Sequence, residues 1–378
     1  MRIEGFELIE IKVRLREAFA SSVESRRERR LLLLRAEGEE GGEGWAECVA
    51  GETPSYTAET TTSAWHILSE FILPKLIGTE ILGPEDLQAC MGWIRGHPMA
   101  RATAEMAAWD LQARELGVSL WELIGGTGEG VPVGVSLGIH SDLPELLDRV
   151  ERQLDAGYAS VKLKIAPGWD VEIVRAVRER FPTVPLMVDA NGAFSLADLP
   201  VFEALDELTL ELVEQPFPPD DLVGHARLQE QIATPVCLDE SIESADDART
   251  ALELRACGVV SVKPGRVGGL GPARSILEIC REREVGVRCG GMLETGIGRA
   301  HALALATLPG FTHAADLSAS ARYWEHDIVI PAFELDEGRL RPHPGAGIGV
   351  EPDRDRIRAL TERGMSFGTL VRPVVQEF

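Results

Sequence analysis

With 378 residues, 44% of them hydrophobic, the chain can bury a large core and is expected to split into a barrel-sized unit and something smaller. Lys and Arg number 38 against 61 Asp and Glu; the net charge of −23 repels phosphate backbones and anionic lipid, so nucleic acid and membrane surfaces are poor partners and the acidity reads as solubility. Six scattered cysteines without a C-x-x-C pair read as free thiols, and no run approaches membrane-spanning length, which points to a reducing, cytoplasmic setting.

Residues 1–125 read as an α+β capping domain. Runs at 6–13, 30–36 and 44–49 have strand character, and helix-period segments follow at 57–73, 84–94 and 98–116. The arginine-rich connection at 18–29 is a solvated hairpin loop or a lid, the loop being the commoner meaning. Phe19 on that connection and Tyr56 on the loop at 50–56 are placed either to close over an apolar part of a substrate or simply to pack.

The glycine-rich stretch at 125–130 is a linker, and residues 126–322 read as a (β/α)8-type barrel. A first strand at 131–139 precedes a helix at 143–156. The second strand, Val161-Lys162-Leu163-Lys164-Ile165, alternates apolar residues with two lysines that must share one face. From Lys164 the ends of the next apolar runs carry Asp189, Glu214, Asp239 and Lys263, at intervals of 25, 25, 25 and 24 residues. A strand, a helix and two short loops need about that many, and charged residues at strand C-termini are where such a barrel places its chemistry. Helices are expected at 169–181, 196–206, 221–232, 244–256 and 269–284, with strand seven at 285–291 and strand eight at 311–317. Residues 323–378 read as a hairpin over 328–340, Pro- and Gly-rich turns and a helix at 353–363, packing back on the capping domain.

Strands two and six of eight face each other, so Lys164 and Lys263 oppose one another with Asp189, Glu214 and Asp239 between. Three carboxylates without His or Cys suit a hard dication, Mg²⁺ or Mn²⁺ in its place, and a dication flanked by lysines suits removal of the α-proton of a carboxylate substrate. Lys162 beside Lys164 disfavours a second positive charge, as a base requires. Taken singly, each acid is more often an ion-pair partner than a ligand; at matching strand ends the three belong together. Ser136 near the first strand's end is a substrate donor or a buried hydroxyl serving backbone. Gly291 and Met292 after strand seven form a turn that borders the mouth. The glycines of 265–271 read as a tight βα turn and not a phosphate cradle, since no Lys-Ser/Thr follows.

Lys162-x-Lys164, Asp189-x-Asn191, Glu214-Gln215-Pro216, Asp239-Glu240-Ser241 and Lys263-Pro264-Gly265-Arg266 resemble the enolase superfamily in its muconate-lactonising subgroup. Gly44-Trp45-Ala46-Glu47 and Gly290-Gly291-Met292-Leu293-Glu294-Thr295-Gly296 make the chain similar to the N-succinylamino acid racemase / o-succinylbenzoate synthase family over nearly its whole length. The resemblance implies Asp189, Glu214 and Asp239 as Mg²⁺ ligands and Lys164 and Lys263 as the acid/base pair. It also implies that Lys162 polarises the substrate carboxylate, that Asn191 and Glu240 are supporting groups, Asn191 bordering substrate, and that the protein is a homo-oligomer acting on a small carboxylate. Dipeptide epimerases of the subgroup carry Asp-x-Asp on strand eight to hold a free ammonium, whereas Asp316 here is followed by Ser318, so an N-blocked or amine-free acid is expected. A muconate-type cycloisomerase, and a catalytically silent metal-binding barrel, are the alternatives.

Overall fold

Two long strands, β1 (Ile3–Ala20) and β2 (Ser25–Gly38), run antiparallel and are followed by β3 (Glu43–Cys48). The computed structural model, which describes residues 1–370, takes these strands well past the apolar runs. The charged connection at 18–29 is therefore mostly paired ribbon, with Phe19 opposite Arg26, Ala20 opposite Ser25, and a turn at 21–24. Its polar faces gave no alternation because both are solvated or turned to the barrel mouth. Helices α1 (Thr61–Ile67), α2 (Asp86–Cys90) and α3 (Pro98–Leu116) cover the sheet. Thr60 caps α1, and the side chain of Glu59 accepts from Met99 N (2.8 Å) and Ala100 N (2.9 Å) at the start of α3.

The barrel alternates β4 (Gly134–Leu137), α4 (Leu143–Asp155), β5 (Ser160–Lys164), α5 (Val171–Arg180), β6 (Leu186–Asp189), α6 (Leu199–Asp206), β7 (Leu212–Glu214) and α7 (Leu222–Gln229). It continues with β8 (Val236–Leu238), α8 (Ala245–Glu253), β9 (Val259–Val262), α9 (Leu270–Glu282), β10 (Gly286–Cys289) and α10 (Gly296–Ala306). The strands are parallel in the order β10-β9-β8-β7-β6-β5-β4. Strand eight, expected at 311–317, is not a regular strand. It closes the barrel through a bridge between Val133 and Ala315 and through backbone bonds to Val287 and Cys289. Thr312 Oγ1 accepts from Val287 N (3.0 Å), a side chain taking a place that ladder carbonyls would fill.

Parity within the strands builds the interior in layers. Met187, Leu212, Cys237 and Val259 form a separate buried apolar cluster, and two residues further along their strands stand Asp189, Glu214, Asp239 and Ser261. The site therefore rests on a packed apolar layer.

After the barrel come α11 (Arg354–Leu360) and β11 (Thr361–Gly368). The hairpin expected over 328–340 is reduced to a tight turn bridged between Asp336 and Arg339, while Val329–Ile330 pairs with Glu351–Pro352 and Arg339–Leu340 with Val131–Pro132, at the foot of the first barrel strand. β11 adds to the edge of the N-terminal sheet against β1, where a helix was expected to run to 363. Its side chains are mostly exposed, so no apolar period marks it. Among the described residues no helix is long and apolar enough to cross a membrane.

Candidate active site

Registry aligns the charged strand ends. Lys164 stands opposite Asp189 and Asp189 opposite Glu214, while Asp239 lies two residues beyond Cys237, the partner of Glu214. Lys263 follows β9 directly and begins a short helical turn. Because β5 is buried throughout, Val161 and Leu163 pack outward under helices while Lys162 and Lys164 point into the mouth.

Each acid is turned to a cation. Lys162 Nζ donates to Glu214 Oε1 (2.8 Å) and lies 3.0 Å from Asp189 Oδ2 and 2.7 Å from Asp316 Oδ2. Lys164 Nζ donates to Asp189 Oδ2 (2.6 Å) and Asn191 Oδ1 (2.7 Å). Lys263 Nζ donates to Asp239 Oδ2 (2.7 Å) and Tyr56 Oη (2.8 Å). Arg266 pairs with the other oxygen of Asp239, and Arg288 Nη1 donates to Glu214 Oε2 (2.8 Å). Asn191 Nδ2 donates to Glu240 Oε1 (2.7 Å).

Burial alone would lower the pKa of Lys162, but Asp316, Glu214 and Asp189 together hold it well above the ordinary lysine value. Burial opposes ionisation of Asp189 and Asp239 as well. Lys164 and Lys162 outweigh it at Asp189, Arg266 and Lys263 outweigh it at Asp239, and both acids lie below the usual range. Burial, then Asp239 and Asp189, pushes Glu240 up to about 8.

Among the described residues no three His, Cys, Asp or Glu side chains stand in a metal-holding arrangement. The donor set nevertheless fits a hard dication in kind: three carboxylates on adjacent strand ends, two of them within 3.0 Å of one ammonium, with no softer atom among them. The charge that holds them here is that of lysine and arginine.

A cavity of about 110 Å³ opens above these groups. Ser136, Lys162, Lys164, Asn191, Lys263, Gly291 and Met292 line it, with Phe19 from the end of β1 and Tyr56 from a capping loop. Asp189, Glu214 and Asp239 lie beneath. Ser136 serves a side chain, donating to Asp316 Oδ1 (2.9 Å). Tyr56 does more than pack, since its hydroxyl joins Lys263, donates to Asp239 Oδ2 (2.9 Å) and accepts from Arg266 Nη1 (3.0 Å). Residues to which the sequence assigned no role in the site also reach it: Arg26, Arg29, Glu294, Arg299 and Tyr323 line the cavity, and Arg288 and Arg266 support its floor. Register was a usable signal for Arg288, which lies opposite Ser261, itself two residues beyond Val259 of the apolar layer. The arginines of the ribbon carried no such mark.

Comparison with known proteins matches residues 6–125 to the family described as "Mandelate racemase / muconate lactonizing enzyme, N-terminal domain" and residues 145–356 to "Enolase C-terminal domain-like". The chain is 47% identical to an N-succinylamino acid racemase of Thermus thermophilus, over 97% of this chain and 100% of that one. It is 44% identical to an o-succinylbenzoate synthase of Geobacillus stearothermophilus, over 97% and 98%. A solved structure, a member of the enolase superfamily from Listeria innocua, superposes with a TM-score of 0.94 at 41% identity, covering 97% of this chain and 99% of the other.

Proposed function

Because the chain belongs to the mandelate racemase / muconate lactonizing enzyme family of the enolase superfamily, we propose that it is an N-succinylamino acid racemase and/or o-succinylbenzoate synthase, removing the α-proton of a carboxylate substrate. The observation that carries this reading is the pair of buried lysines, Lys164 and Lys263, lining one cavity from strands separated by β6, β7 and β8. In racemisation one amine takes the α-proton and the other, as ammonium, returns a proton to the opposite face. In the synthase reaction one lysine takes the α-proton and passes a proton to the β-hydroxyl, which leaves as water, while the other lysine stays charged beside the developing negative charge.

Lys162, kept charged by its three acids, is suited to pair with the substrate carboxylate. Asp189, Glu214 and Asp239 are the residues that would hold Mg²⁺, with Mn²⁺ a substitute; the ion supplies positive charge beside a carboxylate that gains electron density. The lining supports an anionic, N-blocked substrate. With the floor included, Arg26, Arg29, Arg266, Arg288, Arg299 and the three lysines still outnumber Glu24, Asp189, Glu214, Asp239, Glu240, Glu294 and Asp316, and Asp316 is already engaged by Lys162 and Ser136. A pocket of that sign in a protein of net charge −23 favours a substrate with more than one carboxylate.

Incubation with N-succinylamino acids in D₂O tests the reading. Deuterium should enter the α-position of both enantiomers, stop with chelator and return with Mg²⁺, and the synthase's cyclohexadiene substrate should lose water under the same conditions. Neither reaction proceeding with metal present would overturn it.

A further inference from the structure

The two lysines are held by different parts of the molecule. Lys263 is bonded to Asp239 and to Tyr56 of the capping loop, whereas Lys164 is bonded to Asp189 and to the side-chain carbonyl of Asn191, within the barrel. An amide offers two different ends, and only one orientation serves here. The ammonium has donors alone and needs Oδ1, which leaves Nδ2 requiring an acceptor on the far side. Glu240 Oε1 is that acceptor, at 2.7 Å.

Glu240 has little else to do. It is 5% exposed, its Oε2 is buried without a hydrogen-bond partner among the described residues, and its carboxylate's one hydrogen bond runs to Asn191. Burying a half-satisfied carboxyl group is costly, and in return the Asn191 amide is fixed. The Asn191 backbone is anchored as well, at φ 46 with its N–H donating to Asp189 Oδ1 (3.0 Å). No hydrogen bond joins Asn191 or Glu240 to Lys263.

We propose that Glu240 is a positioning residue that orients the Asn191 amide and, through it, Lys164, so that proton exchange on the face Lys164 serves depends on it and exchange on the Lys263 face does not. This rests on the reading of the two lysines as bases for opposite faces. Glu240 lies close enough to both lysines for any charge on it to act on each, so the hydrogen bond must be separated from charge. Glu240→Gln keeps an acceptor and removes the charge; Glu240→Leu removes both.

The test is deuterium wash-in from D₂O at the α-carbon of each N-succinylamino acid enantiomer, with Lys164→Ala identifying the enantiomer that Lys164 deprotonates. Glu240→Leu should slow that enantiomer by at least about tenfold, through kcat more than KM, and leave the other within about twofold, as expected for a misplaced base. Glu240→Gln should recover most of the loss. Asn191→Gly tolerates the positive φ and carries the test if Glu240→Leu fails to fold; it should show the same one-sided loss, and adding Glu240→Gln to it should cost nothing further. Equal slowing of both enantiomers, no slowing of either, or a Glu240→Gln variant as impaired as Glu240→Leu overturns the inference. If Lys164→Ala itself slows both enantiomers alike, the base assignment falls and takes this inference with it; if Lys164→Ala is one-sided and Glu240→Leu is not, only the inference falls.

Discussion

An ammonium that is 4% exposed survives at Lys162 because Glu214, Asp189 and Asp316 all lie within 3.0 Å of it. The same reasoning applies to Arg288, 1% exposed and bonded to Glu214, where removing one partner leaves a buried charge under-compensated. Arg288→Met should therefore cost about 3 to 5 kcal/mol of folding stability, measured by urea unfolding, and a loss well under 1 kcal/mol would contradict the ion pair's importance. Lys162, Lys164 and the three acids were legible in the sequence because a strict period of two puts like chemistry on one face and the β/α interval repeats it. Asp316 was read only for the residue it lacks two positions on; its bond to Lys162 depends on a tertiary contact that no local pattern encodes. Tyr56 was weighed as apolar cover, and the sequence holds nothing to say that its hydroxyl meets Lys263.

The ribbon of β1 and β2 reaches over the barrel mouth and is pinned there at separate points. Ile139 N donates to Ala20 O (2.9 Å), Ser22 Oγ donates to Ala190 O (2.8 Å), and Arg29 bonds to the carbonyls of Met292, Leu293 (3.1 Å) and Val49 (3.1 Å). Ala190 sits between Asp189 and Asn191, and Met292 borders the cavity, so the ribbon touches backbone that carries the site. Arg29→Met should free the loop after β10, held with Leu293 at φ 56, and raise KM by about tenfold with a smaller change in kcat, because what is lost is ground-state positioning. Unchanged KM in steady-state kinetics would show that the loop holds itself. The barrel helices announced themselves by period and spacing. The ribbon's full length and β11 did not, since their pairing is set by distant partners and their exposed faces need no apolar alternation; the eighth strand's place was legible and its irregularity was not.

The capping region and the barrel are joined through buried carboxylates at helix N-termini. Glu105 of α3 accepts from Leu270 N and Gly271 N, both at 2.8 Å, where α9 begins, and Glu47 of β3 accepts from Thr295 N (3.1 Å) and Gly298 N (3.2 Å) where α10 begins. Burial raises Glu105 from 4.5 to about 7 against the pull of those N–H groups, so the folded state holds this proton more tightly than the unfolded chain. Its favourable contribution is complete below the unfolded value and is lost as pH rises through 7, by about 3 kcal/mol. The stability advantage of the unmodified protein over Glu105→Gln should thus shrink between about pH 5 and pH 8 in paired thermal melts, and a constant difference would refute the shift. At the barrel mouth the groups proposed to react meet, and the claim that matters most there is that Lys164 and Lys263 work on opposite faces of one substrate. Deuterium wash-in into each N-succinylamino acid enantiomer by Lys164→Ala and Lys263→Ala, with Mg²⁺ present, addresses it most directly. Each variant should lose exchange of one enantiomer by about 10²-fold or more and keep the other, with the two losses complementary; loss of the same enantiomer in both variants, or of neither, would contradict it.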